Sequence, residues 1–176
     1  MSDRVGMMIS TPCATFSAAR YNAGGPPVIR NLTHPTGIPN SEGKIPEQAI
    51  IANTILDVAI DAAWQIVGRG GYYIFESPPS RAAGSAHSIP GREDHAAMWS
   101  YPRMLELSRK YRSLSVIFDQ CALGTNTQKT TELLASPNIF DAVVMQFGCL
   151  RCNHMECRRR SLLGARDMNA VEKSEE

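Results

Sequence analysis

The apolar positions of this chain fall into short runs separated by turns marked with proline and glycine. Val5 to Ser10 is uncharged and mostly apolar, and it stops at Thr11-Pro12, where proline ends a hydrogen-bonded ladder; it predicts a short buried strand. From Thr11 to about Ile45 the pattern is irregular, with Gly24-Gly25-Pro26-Pro27, His34-Pro35 and Ile38-Pro39 as turn or extended punctuation. Pro46 suits a first helical turn, with Glu47 near its positive end. Ile51, Ile55, Val58, Ala62 and Ile66 then recur at spacings of three and four, predicting an amphipathic helix that Gly70-Gly71 ends. Tyr72 to Phe75 favours a strand and leads into Glu76-Ser77-Pro78-Pro79. A polar loop to about Asp94 precedes a helix within Met98 to Arg112, with Pro102 confined to its start. Ser115 to Phe118 predicts another strand, ending at Asp119-Gln120-Cys121. After a turn at Leu123 to Asn126, Thr130 to Ala135 predicts its antiparallel partner. Ser136-Pro137 reads as cap and first turn of a helix over Ile139 to Phe147.

This alternation predicts an α/β fold whose sheet is mostly parallel with an antiparallel edge hairpin. One α/β domain over residues 1–148 is expected, with 149–176 as a Cys/Arg-rich segment and disordered tail. In such sheets functional residues gather at the carboxyl ends of strands, which puts Cys13 and Glu76 on one rim.

Composition narrows the setting. The 176 residues suffice for one domain with a core, and 43% hydrophobic with 20% charged residues excludes a disordered chain. A net charge of +1 provides no global field for nucleic acid, so any such binding needs a local basic patch. The apolar run at the N-terminus is too short for a signal peptide, and no stretch approaches the roughly 20 apolar residues of a membrane span. Five cysteines without an export signal read as reduced thiols, so the expected compartment is intracellular, cytoplasm or nucleus.

The residues with chemical potential are a cysteine after the first strand and a glutamate after the second. Thr11-Pro12-Cys13-Ala14-Thr15-Phe16-Ser17 resembles the Pro-Cys nucleophile motif of the cytosine-5 DNA methyltransferases, which continues with two variable residues and Phe-Ser. Glu76 is similar to the glutamate of that family's Glu-Asn-Val motif, with Ser77-Pro78 in place of Asn-Val. Glu76-Ser77-Pro78 and Phe118-Asp119-Gln120-Cys121-Ala122-Leu123-Gly124 are also similar to divergent methyltransferase-like sequences, in which Cys121 has no assigned role.

The resemblance implies the later half of a Rossmann-like methyltransferase sheet. It implies Cys13 as nucleophile toward carbon 6 of cytosine and Glu76 as the group on ring nitrogen 3. Pro12, Ser17, Arg20 and Lys129 would contact substrate, with Lys129 standing where the family has an arginine-rich strand. S-adenosylmethionine is the implied methyl donor and DNA with a flipped cytosine the implied partner. The family's donor-binding glycine loop lies upstream of the Pro-Cys motif, and ten residues precede Thr11 here. The chain is therefore expected to need a partner chain completing the sheet, to continue an upstream segment, or to be a remnant.

Other readings stay open. Cys13 also suits a small buried hydrophobe, and Glu76 a solvated strand-end carboxylate. A non-catalytic interaction module, a mobile-element remnant that keeps the sheet without the chemistry, is one alternative function. A small zinc-dependent nucleic-acid binder is another, since Cys149, Cys152, His154 and Cys157 supply four weak candidate zinc ligands. Arg151, Arg158, Arg159 and Arg160 form the densest basic cluster. Trp64 and Trp99 read as packing residues.

Overall fold

The structure is a computed structural model and describes residues 5–124 and 129–151. Four strands, β1 (Gly6–Ser10), β2 (Tyr72–Ser77), β3 (Leu114–Asp119) and β4 (Thr130–Ala135), form one open sheet in the order β1-β2-β4-β3. β1 and β2 run parallel, in register from Gly6 opposite Tyr72 to Ser10 opposite Glu76. β4 is antiparallel to β2 on one side and to β3 on the other. The mostly parallel sheet with an edge hairpin is thus corrected: one neighbouring pair is parallel and two are antiparallel. The hairpin partner of β3 does form over Thr130 to Ala135, but it lies inside the sheet because its second edge pairs with β2. Every β4 residue but Glu132 and Thr130 is buried, and the consecutive Leu133-Leu134-Ala135 supply apolar side chains to both faces.

Alternation along the strands divides the core in two. Ile9, Tyr73, Phe75 and Leu134 face helices α1 (Glu47–Gly68) and α2 (Pro102–Tyr111). Ile74, Val116, Phe118, Leu133 and Ala135 face α3 (Pro137–Phe147), chiefly Val143 and Phe147. Leu150 joins this second cluster, so the chain beyond the expected boundary at 148 still packs on the sheet. Pro102 and Pro137 both occupy the first helical turn, where a missing N–H costs nothing. Ser136 precedes α3 as expected, but its hydroxyl accepts from the Tyr73 N–H at 3.2 Å rather than from the helix.

Helix α1 corrects a second expectation. Its buried face is Ala49, Ala52, Leu56, Ala59, Ile60 and Ala63, not the branched stripe: Ile51, Ile55 and Val58 are 53%, 41% and 65% exposed. Four alanines let α1 sit close to β1 and β2, and Leu56 and Ile60 between them fill the core. With 22 residues and a mean hydropathy of 1.5 in its most apolar stretch, α1 is long and apolar enough to cross a membrane, contrary to the reading of the sequence alone. Here it lies against the sheet. Gly70, at φ +81°, and Gly71 turn the chain from α1 into β2; a Cβ on Gly71 would collide with the Val5 carbonyl and the Ile66 side chain.

Candidate functional site at the strand ends

The parallel register of β1 and β2 brings Ser10 beside Glu76 at their carboxyl ends. The Ser10 hydroxyl donates to Glu76 Oε2 at 2.6 Å. Because β4 runs against β2, its start lies at the same end, and Lys129 Nζ reaches Glu76 Oε1 at 3.2 Å. Both carboxylate oxygens are therefore engaged, and the Glu76 side chain is only 13% exposed against 47% for Lys129. Cys13 lies three residues beyond Ser10, half-buried, and its carbonyl accepts from the Phe16 N–H at 2.9 Å to close a tight turn. Strand pairing thus brings Ser10, Glu76 and Lys129 together, with Cys13 three residues beyond Ser10 along the chain.

The turn is held from beneath. Phe16 is 3% exposed, edge-on to Tyr101, with the Arg30 guanidinium 4.1 Å above its ring. Arg30 is itself 2% exposed and donates to the Pro35 carbonyl, Asn53 Oδ1 and the Ala49 carbonyl. Burial pushes its pKa down to about 10. Ser17 caps the short turn Ala18–Tyr21 by accepting from the Ala19 N–H. Arg20 donates to the Ala14 and Pro27 carbonyls and to Gln48 Oε1. Both side chains brace the Cys13 loop, where the resemblance implies substrate contacts. Pro12 is exposed at the rim, and Thr11 reaches Met98 Sδ at 3.2 Å.

His95, which the sequence alone does not mark as a site residue, ties the Cys13 turn to the loop after β2. Its Nδ1 accepts from the Arg81 N–H at 3.1 Å, which leaves Nε2 carrying the proton and donating to the Phe16 carbonyl at 2.9 Å. No local signal could have found it, since the partners lie 14 and 79 residues away. At 2% exposure, burial lowers its pKa below the ordinary histidine value, against the Phe16 bond, with Arg81 and Arg92 lowering it further.

The folded state therefore binds fewer protons here than the unfolded chain in a window below about 6.5. His95 should stabilise the fold above that pH and withdraw this contribution as pH falls. Urea unfolding at pH 7 and pH 5 should show a smaller acid loss in His95→Gln than in the wild type, the difference staying under about 1.4 kcal/mol per pH unit. Equal losses in both proteins would locate the acid sensitivity elsewhere, for example at His87, whose pKa is also lowered by burial.

Other candidates divide differently. Trp99 Nε1 donates to the Pro78 carbonyl at 3.1 Å, and Trp64 packs edge-on to Tyr111 beneath Lys110, so both are packing residues. Cys149 is exposed, and Cys152, His154 and Cys157 lie outside the described residues, as do Arg158, Arg159 and Arg160. Among the described residues no group of three or more His, Cys, Asp or Glu side chains is arranged to hold a metal.

One cavity bears on S-adenosylmethionine, and its size and lining do not fit that group. A cavity of about 200 Å³ lies between α2 and β4, lined by Trp99, Met104, Leu105, Ser108, Glu132 and Leu134. That is below the roughly 300–1,000 Å³ of ligand pockets. No glycine lines it to bring backbone donors near a ligand, and burial raises the Glu132 pKa above the usual carboxylate value.

Fold and site together define an α/β protein with a mixed four-stranded sheet and a Cys-Glu-Lys rim. Comparisons with protein-family models, curated proteins and solved structures find no match to this chain.

Proposed function

We propose that this chain is a divergent cytosine-5 DNA methyltransferase-like domain whose own chemistry is reversible thiol addition to cytosine. The observation that carries the reading is the register that sets Ser10 against Glu76, leaving the Pro12-Cys13 turn and the Glu76-Lys129 pair at neighbouring strand ends.

In this mechanism the Cys13 thiolate forms a bond to carbon 6 of an extruded cytosine while Glu76 shares a proton with ring nitrogen 3. Lys129 and Ser10 hold the Glu76 carboxyl in place. The resulting enamine takes a proton from water at carbon 5. Loss of the original carbon-5 hydrogen as a proton, then expulsion of the Cys13 thiolate, restores the ring. The net result is exchange of that hydrogen with solvent, and it needs no oxidant or donor. Methyl transfer lies outside this cycle.

The test is release of tritium to water from DNA carrying 5-tritiated cytosine, in single strands and duplexes. Wild-type chain should release it catalytically, and Cys13→Ala, at unchanged melting temperature, should fall to the rate of DNA alone. Equal release by both proteins would remove Cys13 from the chemistry. Absence of release by a folded wild type would favour the second reading, a non-catalytic interaction module, for which the exposed apolar stripe of α1 speaks.

A further inference from the structure

The two edges of the sheet are treated differently. Beyond β3, the chain after α3 covers the ladder: the Leu150 carbonyl accepts from the Asp119 N–H at 3.1 Å, and the Arg151 guanidinium donates to the Ile117 carbonyl. Among the described residues, β1 has a strand neighbour on one side alone. Its sequence, Gly-Met-Met-Ile-Ser, carries no charge, proline or bulge of the kind that protects exposed edges.

The apolar stripe of α1 adjoins this edge. At 100° per residue, Ile51, Ile55, Val58 and Ala62 share one flank of the helix, and Asp57, Asp61 and Trp64 the other. Arg103 of α2 pairs with Asp57 and Asp61, and the Tyr101 hydroxyl donates to Asp57, so α2 takes the second flank. Because α1 lies across β1 and β2, the stripe points past β1. Val5, Met8, Ile51, Ile55 and Val58 are five of the twelve exposed large apolar side chains described; Val5 shares the face of α1, and Met8, paired with Ile74, lies on the opposite face of the same edge strand. A patch so concentrated marks an interaction surface.

We propose that a second copy of this chain covers this border, the two β1 strands pairing antiparallel about a two-fold axis near Met8. An axis perpendicular to the sheet keeps both α1 helices on the same face. Strands are spaced ~4.8 Å apart. With each α1 seated over its β1–β2 pair, the helix axes then lie about 10 Å apart across the seam, the distance at which packed helices interlock. One operation therefore joins the edges and buries the stripes together. The stripe bears no charge, and the α1 carboxylates Asp57 and Asp61 are turned to Arg103, so the copies meet without like-charge repulsion. The contact is isologous and closes as a dimer, leaving as outer edges only the β3 strands already covered. This does not depend on the thiol chemistry.

The test is sedimentation equilibrium of the full chain. A mass of twice 19.3 kDa is expected at tens of micromolar concentration, with Val58→Lys at least tenfold weaker in association and still folded by circular dichroism. Val58 is exposed, so the substitution spares the core. Met145→Lys, on the exposed outer face of α3, should leave the dimer intact. As an independent readout, Met8→Cys should give on mild oxidation a disulfide joining the two substituted positions, identified by peptide mapping. A monomeric wild type would overturn the proposal. So would a dimer indifferent to Val58→Lys, or a monomer that floats with phosphatidylcholine–phosphatidylserine vesicles, which would assign the stripe to a lipid surface.

Discussion

Replacing Glu76 by glutamine should slow carbon-5 hydrogen exchange about 10²–10⁴-fold, the usual worth of a positioned acid–base group. The substitution isolates the proton from the scaffold. An amide oxygen still accepts from the Ser10 hydroxyl, now at 2.6 Å from the carboxylate, and the volume is unchanged. What is lost is a group able to share a proton with ring nitrogen 3, together with the charge opposite Lys129. That ion pair is half-exposed on its lysine side, so breaking it should cost less than about 1 kcal/mol of stability. Activity and stability therefore separate in one variant. Lys129→Met tests the positioning role: it should shift the pH profile of exchange and lower its rate less than Glu76→Gln. Exchange at the wild-type rate in Glu76→Gln, with Cys13→Ala inactive, would leave Glu76 as a structural carboxylate.

Arg30→Met should be the most destabilising of these substitutions, by about 3 kcal/mol, lowering the melting temperature by about 6–12 °C. The guanidinium is buried; its Nη1 and Nη2 donate to two carbonyls and the Asn53 side chain, joining the loop at Pro35 to the first turns of α1, while its Nε is left without a partner. Methionine would fill most of the space over Phe16 but leave these acceptors without a donor. Relief of the cost of burying a cation offsets part of the loss. Arg30→Lys keeps the charge but not the planar fork, and should recover less than half of the stability. A loss below about 1 kcal/mol would mean that the acceptors find other donors.

The strands and helices are legible in the sequence because each is bounded by residues with a local mechanism. Pro12 closes β1, Gly70-Gly71 separates α1 from β2, and prolines open α2 and α3. Thr130–Ala135 pairs with β3 as its pattern predicts. The place of β4 in the sheet is not legible, since a run buried on both faces fits an interior position without saying which strand lies on its other side. The α1 stripe misleads for a related reason: the helix has two apolar faces, and periodicity favours the bulkier one. Ala49, Ala52, Ala59 and Ala63 are the face the sheet admits. At the site, Cys13 and Glu76 are marked by motif and strand end. Arg20 instead braces the loop, and the contributions of His95 and Arg30 depend on partners far along the chain.

The insertion of β4 also sets an order of assembly. β2 and β3 share no ladder, so β3 has no seat in the sheet until residues 130–135 have been synthesised. As the chain leaves the ribosome, β1, α1 and β2 can associate first as a parallel unit, while β3 must wait as an unpaired strand for the segment that follows it. A nascent chain stopped before residue 130 would hold the β1–β2 pair and a β3 segment without a partner strand. The sheet is closed not by its outermost strand but by its last one, which joins the early and late parts of the polypeptide in a single step.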